Sequence, residues 1–248
     1  MHISIVPETL FHIGPLPVTN TLLTAWLVVI VITVGAVIFS AIMKRKPGKI
    51  QTAIEAVVDG LLNFFETISG NRETAKRFFP IVATIFVFVL LSNWAGIIPG
   101  VGSIGFREVV EGEEKFVPLF RSVFSDLNMT LALALIAVSL SHFFGLITLG
   151  IKGHVGKFIT FRSPIAAFMG VLEIVSEVAK VVSFSFRLFG NIFAGEVLLT
   201  IIAFLLPYIA PLPFLGLELF VGFIQALIFG TLAMVAFSSF TVAHTEQH

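Results

Sequence analysis

Cysteine is absent from this 248-residue chain, which excludes a disulfide framework, a thiolate metal site and a cysteine nucleophile. Charge is scarce too: 12% of residues are Asp, Glu, Lys or Arg, against about 25% in an average soluble domain. Such a chain cannot cover a water-facing surface. Its fifteen basic and fifteen acidic residues cancel to a net charge of zero, which argues against nucleic acid as a partner. A single Tyr beside 28 Phe fits rings that face lipid or neighbouring helices. What fills the sequence is apolar, with 57% hydrophobic residues and a mean hydropathy of +1.04. The class this implies is an all-α polytopic membrane protein, forming one integral membrane domain over residues 1–248.

The first twenty residues hold no Lys or Arg and include Pro7, Pro15 and Pro17, so the basic start and short apolar stretch of a cleaved signal are missing. Thr21–Met43 then runs 23 residues without a charge, about 35 Å as a helix and enough for a bilayer core of about 30 Å. Lys44-Arg45-Lys46-Pro47-Gly48 ends it. Between Ile50 and Ser69, Ile54, Val57, Leu61, Phe65 and Ile68 recur at helical spacing while Gln51, Glu55, Asp59 and Glu66 lie between them; this is an amphipathic helix lying on the membrane surface. A second span covers Phe78–Ile98, stopped by Pro99-Gly100. Gly100–Ser125, with Glu108, Glu111, Glu113 and Glu114, reads as an exposed loop. The third span is Leu127–Gly150, capped by Ser125 or Asp126.

Ser163-Pro164 is a helix start, a capping serine followed by proline at the first helical position. Nothing breaks the chain from there to Pro207, so 43 residues make a helix about 65 Å long, roughly twice the bilayer core. It must tilt steeply or project into water. Pro207, Pro211 and Pro213 form a turn, and Phe214–Ala243 makes a last long helix. With the N-terminus outside and the C-terminus inside, ten Lys/Arg (44, 45, 46, 49, 72, 76, 77, 152, 157, 162) fall in inner loops and three (107, 115, 121) outside, as the positive-inside bias requires.

The chemistry concentrates between Pro164 and Leu206. Glu173, Glu177, Lys180, Arg187 and Glu196 sit in otherwise apolar sequence, where an intramembrane charge costs from about 3 to more than 10 kcal/mol and marks a functional site by default. Glu173, Glu177 and Lys180 have a plainer alternative, solvation near the inner surface. Arg187 does not, being too deep to snorkel; it should face water or a partner's carboxylate. At about 100° per residue, Glu173, Glu177, Lys180, Arg187 and Asn191 share one face, whereas Glu196 lies on the opposite one. The last helix carries Glu218 and Gln225 on a common face. In an antiparallel pair, Arg187 with Gln225 sums to 412 and Glu196 with Glu218 to 414, so one register levels both. Two carboxylates at one depth in a low dielectric would share a proton, a plausible transfer station, unless both sit at the outer surface and never interact.

The run Ser183-Phe-Ser-Phe-Arg187-Leu-Phe-Gly-Asn191-Ile-Phe-Ala-Gly-Glu196 resembles the signature of subunit a of the F-type ATP synthase. Pro47-Gly-Lys-Ile-Gln-Thr-Ala-Ile-Glu55, Ser125-Asp-Leu-Asn-Met-Thr130 and Gln225-Ala-Leu-Ile-Phe229 agree in order, so the resemblance covers most of the chain. It implies a non-catalytic stator subunit that conducts protons past a rotating ring of c subunits, with ATP chemistry on other subunits. The two long helices would form a tilted hairpin against that ring. Arg187 matches the arginine that attracts each ring carboxylate in its ionised form and separates two offset half-channels. Asn191, Glu196, Glu218 and Gln225 match positions around the arginine and the outer half-channel, Glu173 and Ser183 positions toward the inner one, and Asp126 an acidic position near the outer entrance. Where some members carry histidine, this chain has glutamates at both 196 and 218. The implied partners are the c-ring, the peripheral-stalk b subunits and the rest of the ATP synthase, in a bacterial inner membrane rather than an organelle's.

A secondary transporter, a sodium-translocating version of the same subunit, a membrane scaffold and an intramembrane enzyme are the other readings. No internal repeat, His-Glu-x-x-His or Gly-x-Ser-x-Gly is present. Gly100-Val-Gly-Ser-Ile-Gly105 fits a dinucleotide fingerprint but follows a membrane helix, so it reads as a flexible loop. Asn128-Met-Thr130 matches a glycosylation sequon. His142 and His154 are separated and His244 and His248 terminal, without metal spacing. No cofactor is called for.

Overall fold

The computed structural model describes residues 6–43, 48–98, 100–110, 113–158, 163–207 and 209–242. Expectations that fall on Lys44, Arg45, Lys46, Pro47, Pro99, Glu111, Arg162, Ala243, His244 and His248 lie outside the described residues. Six long helices run in chain order: α1 (Asn20–Ile42), α2 (Lys49–Ser69), α3 (Arg72–Ile97), α4 (Leu127–Phe158), α5 (Pro164–Leu205) and α6 (Pro211–Val242). All but α2 are long and apolar enough to cross a membrane.

Their ends follow local chemistry. Thr19 caps α1, its Oγ1 accepting from the Leu22 N–H at 3.3 Å. Gly70 closes α2 at φ 69°, a left-handed conformation that glycine adopts without a Cβ penalty. Asn71 Oδ1 accepts from the Glu73 N–H at 2.7 Å, and this cap starts α3 six residues before the apolar run that marks its span. Asp126 caps α4, Oδ1 accepting from the Asn128 N–H at 2.9 Å. Ser163 caps α5 through Oγ and the Ala166 N–H at 3.1 Å. Pro211 and Pro213 lie inside the first turn of α6 rather than in the preceding turn; the first N–H groups of a helix have no intrahelical partner, so proline costs nothing there. Gly150 interrupts α4 with φ 69° and ψ 168°, ending the apolar rod at the boundary expected from sequence.

Two antiparallel hairpins were not foreseen. β1 (Thr9–Ile13) pairs with β2 (Leu16–Thr19), and β3 (Gly105–Val110) pairs with β4 (Glu113–Pro118). The second corrects the reading of Gly100–Ser125 as loop: Val101–Ser103 is a 3-10 turn and Gly105 opens a strand. A Cβ at Gly105 would collide with the Val117 carbonyl, so the third glycine of the apparent fingerprint is there for strand contact, not for phosphate.

Two units make up the chain. One comprises 1–43, 86–130 and 186–227; the other comprises 44–85, 131–185 and 228–248. In the first, Phe124 and Leu188 are fully buried, Phe88 packs edge-on to Phe124 at 6.0 Å, and Phe86 to Phe223 at 6.1 Å. The core of the second is a phenylalanine cluster in which Phe78 meets Phe144 at 5.0 Å and Phe237 at 5.6 Å. Ser141 Oγ donates to the Ala236 carbonyl at 3.0 Å.

Helices α5 and α6 are antiparallel, and two contacts set their register. Glu218 sits against Gly195 in the first unit, and Phe184 meets Phe229 at 5.5 Å in the second. Both pairs of positions sum to 413, between the two sums expected from sequence. Phe184→Cys with Phe229→Cys, in a chain otherwise free of cysteine, should therefore be joined by a short bis-methanethiosulfonate reagent. Failure to join while each thiol labels fully would contradict this register.

Candidate functional site

Glycine at 195 decides the geometry around Glu218. A Cβ added there would run into both carboxylate oxygens and the Cδ of Glu218, so any larger residue would displace this carboxylate from its seat against α5. Glu218 is buried, although it puts a charge-bearing group two turns into an apolar helix. Two donors from α3 fix the backbone of α6 just beyond it: Trp94 Nε1 donates to the Leu219 carbonyl at 3.1 Å, and Asn93 Nδ2 to the Gly222 carbonyl at 2.9 Å. Gly222 is again a close approach, since an added Cβ would stand 3.2 Å from Asn93 Cβ.

Glu196 follows Gly195 and turns to a cation that the sequence reading counted only as an outer loop charge. Arg121 Nε donates to Glu196 Oε1 at 3.2 Å, with the arginine side chain 10% exposed and the glutamate 34%. Glu196 Oε2 is buried and has no hydrogen-bond partner among the described residues. Breaking a fully buried ion pair costs about 3–5 kcal/mol; the remaining exposure of Glu196 makes this one cheaper. No sequence signal distinguishes Arg121, a lone arginine three residues past a proline. The structure thus gives Glu196 a partner other than the glutamate expected for it, while Glu218 lies one residue away along the facing helix.

From Arg121 a polar network leads to Asp126. The Arg121 backbone N–H donates to Thr24 Oγ1 at 3.2 Å, and Thr24 Oγ1 donates to the Asn20 carbonyl at 2.9 Å. Next to them Thr21 Oγ1 donates to Asp126 Oδ2 at 3.0 Å. Asn20, Thr21, Thr24 and Asp126 are all buried. Further buried acceptors lack partners among the described residues, namely Ser92 Oγ, Asn93 Oδ1 and Ser122 Oγ. All belong to the same unit, and buried polar atoms of this kind are ordinarily satisfied by water.

Arg187 faces elsewhere. It is exposed, whereas Leu188 and Ile192 beside it are buried and Asn191 is half-buried. Gln225 on α6 is buried, and the register places residue 226 level with Arg187, one position from Gln225. In the other unit Glu173 is half-buried and Ser183 exposed. Glu177 and Lys180 are joined by a 2.6 Å hydrogen bond, with the glutamate only 11% exposed, so Glu177 is not a freely solvated surface group.

Comparison with known proteins decides what carries this arrangement. The family described as ATP synthase A chain matches residues 22–238. The chain belongs to that family. Among members of the ATP synthase A chain family, a Campylobacter jejuni protein described as ATP synthase subunit a is 36% identical over 94% of this chain and 89% of its own length. Proteins of the same description are 34% identical in Campylobacter fetus, over 92% of both chains, and 29% identical in Moorella thermoacetica, over 96% of this chain and 98% of its own. Membership and five apolar helices make this a multi-pass membrane subunit of the ATP synthase A type.

The contact at Gly195 makes a direct forecast. Gly195→Ala should lower thermal stability in lipid nanodiscs by about 1–3 kcal/mol, the usual cost of overpacking, and Glu218→Asp, which withdraws the carboxylate by one methylene, should recover part of it. Unchanged stability in Gly195→Ala would mean that the Glu218 side chain swings aside freely and that the close approach does not depend on glycine.

Proposed function

We propose that the chain is the proton-translocating stator subunit of a rotary F-type ATP synthase, with Arg187 separating two offset half-channels that serve the carboxylates of a c-ring. The observation that carries this is the division of charge on α5: Arg187 is exposed on one face, while Glu196, nine residues on, turns toward Arg121 and the buried polar network. Arg187 holds its charge on the exposed face of a lipid-length helix, where an anion that meets it is strongly favoured. A ring carboxylate that is neutral in lipid and ionised beside Arg187 supplies that anion.

The exposed face of α5 suits such a visitor. Ser176, Ala179, Ser183, Gly190 and Ala194 flank Arg187 at helical spacing and are all exposed, and small residues let a partner helix approach closely. Asn191 and Gln225 stand near the arginine. Glu218 and Glu196 form the outer pathway, reached from water past Asp126, and the unpartnered acceptors Ser92, Asn93 and Ser122 favour water along it. Glu173 and Ser183 lie toward the inner half-channel. ATP chemistry stays on other subunits, and the peripheral-stalk b subunits hold this chain against rotation. The membrane is a bacterial inner membrane, with the N-terminus outside and the C-terminus in the cytoplasm.

The barrier role follows from electrostatics. One elementary charge crossing 100 mV releases about 2.3 kcal/mol, so several ions must be collected per ATP, and any direct path between the half-channels would dissipate them. A guanidinium repels a proton entering from either side and exchanges only with a carboxylate carried by the ring.

In vesicles holding the whole complex, Arg187→Ala should abolish ATP-driven proton pumping and add passive leak; retained pumping would overturn the reading. Glu196→Gln and Glu218→Gln should be non-additive in pumping, with a coupling of about 0.5–3 kcal/mol. Strict additivity would mean that the two glutamates do not act as one station.

A further inference from the structure

Gly150 brings together two histidines that the sequence separates. Twelve residues of unbroken helix would put His142 and His154 about 18 Å apart along the axis. The non-helical turn at Gly150 (φ 69°, ψ 168°) folds the chain back, and His142 Nδ1 lies 3.2 Å from His154 Nε2, with the ring centroids 5.3 Å apart at 77°. The other nitrogen of His142, Nε2, is 3.6 Å from Glu177 Oε2 on α5, and Glu177 Oε1 accepts from Lys180 Nζ at 2.6 Å. His154 is 5% exposed. Phe158 packs on both imidazoles, with centroids at 5.7 Å and 5.4 Å, which keeps bulk water off one side. All of this lies within one unit.

Four titratable groups thus stand in series, ordered by nitrogen and oxygen atoms that face one another. An imidazole can accept a proton on one nitrogen while releasing another from the opposite one, and it changes charge near neutral pH. We propose that His154, His142 and Glu177 form a proton relay, anchored by the Lys180 ammonium, that links the end of α4 to the inner side of the pathway along α5. The relay rests on the function proposed above, to which it adds the residues that exchange protons with the inner half-channel.

Each transfer balances. His154 Nδ1 is buried and open, and a water that brings a proton to it makes an imidazolium, which gives its Nε2 proton to Nδ1 of His142. That ring in turn releases its Nε2 proton toward Glu177 Oε2, across a gap of 3.6 Å that one bridging water or a small side-chain shift closes. Glu177 then passes the proton on along the face of α5 that bears Glu173 and Ser183. Both rings are left as their other tautomer, and each rotates about its side-chain bonds before the next proton can follow. Lys180 stays charged throughout and holds Glu177 in place.

A tether would use the same contacts, so the test relies on scarcity of protons. When ATP hydrolysis drives pumping, protons are drawn from the inner face, which is the outer surface of inverted membrane vesicles. In such vesicles holding the whole complex, His142→Ala and His154→Ala should pump at least about fivefold more slowly than wild type at about pH 8.5 and within about twofold of it at about pH 6.5. Added imidazole should restore the lost rate at the higher pH. His142→Gln, which keeps size and hydrogen bonding without titrating, should show the same pH-dependent loss at equal amounts of assembled complex. An equal loss at both pH values without imidazole rescue would make the cluster a tether, and unchanged rates at both would take it off the pathway; either result overturns the relay. Arg187→Ala in the same vesicles separates the two claims. If it still pumps, the function itself fails; if it does not, a flat His142→Ala profile rejects the relay alone.

Discussion

A carboxylate set between two long apolar helices needs space and a polar surrounding, and the contact between Gly195 and Glu218 supplies the space. Everything else in that unit is arranged around it. Because residue 195 has no side chain, α5 and α6 close to a distance at which the Glu218 carboxylate occupies the volume of a missing Cβ. That approach fixes the antiparallel register, turns Glu196 toward Arg121, and leaves Arg187 on the opposite, exposed face of α5. Asn93 and Trp94 then pin α6 to α3 through backbone carbonyls at Gly222 and Leu219.

The polar residues of this unit form a graded series rather than a set of isolated exceptions. Asp126 is tied to α1 by Thr21, Arg121 to α1 by Thr24, and Glu196 to Arg121. Each is anchored by at least one bond, and several neighbours keep a buried atom without a partner among the described residues, of the kind that water ordinarily satisfies. Buried polar groups left open in this way are costly in a packed core. They suit the water-lined proton path proposed for this unit.

Helical architecture was readable because its signals are local. Five apolar runs came from hydropathy and length, the serine and aspartate caps from residue type, and the α5–α6 register from levelling Arg187 with Gln225 and Glu196 with Glu218, all of which, with Asn191, stood out as polar residues in apolar sequence. What escaped depended on distant parts of the chain. The Glu-rich segment after α3 looked like solvated loop, although residues 105–110 and 113–118 pair as strands. Arg121 carried no mark of its own until the fold set it beside Glu196. His142 and His154 seemed unrelated because one glycine conformation, at Gly150, brings them into contact, and that glycine looks like an ordinary helix end. The caps of α3 and α6 moved their starts by a few residues because an asparagine side chain and first-turn prolines extend helices past the apolar core.

The central claim is that α5 borders two water-filled paths opening on opposite sides of the membrane. Sided thiol labelling tests it most directly. In the cysteine-free chain, Glu218→Cys and Ser183→Cys, made one at a time in the assembled complex, are exposed to a membrane-impermeant thiol reagent from each side in turn. The account predicts reaction of the thiol at 218 from the outer side alone and of the thiol at 183 from the inner side alone. Labelling of both from one side would contradict it.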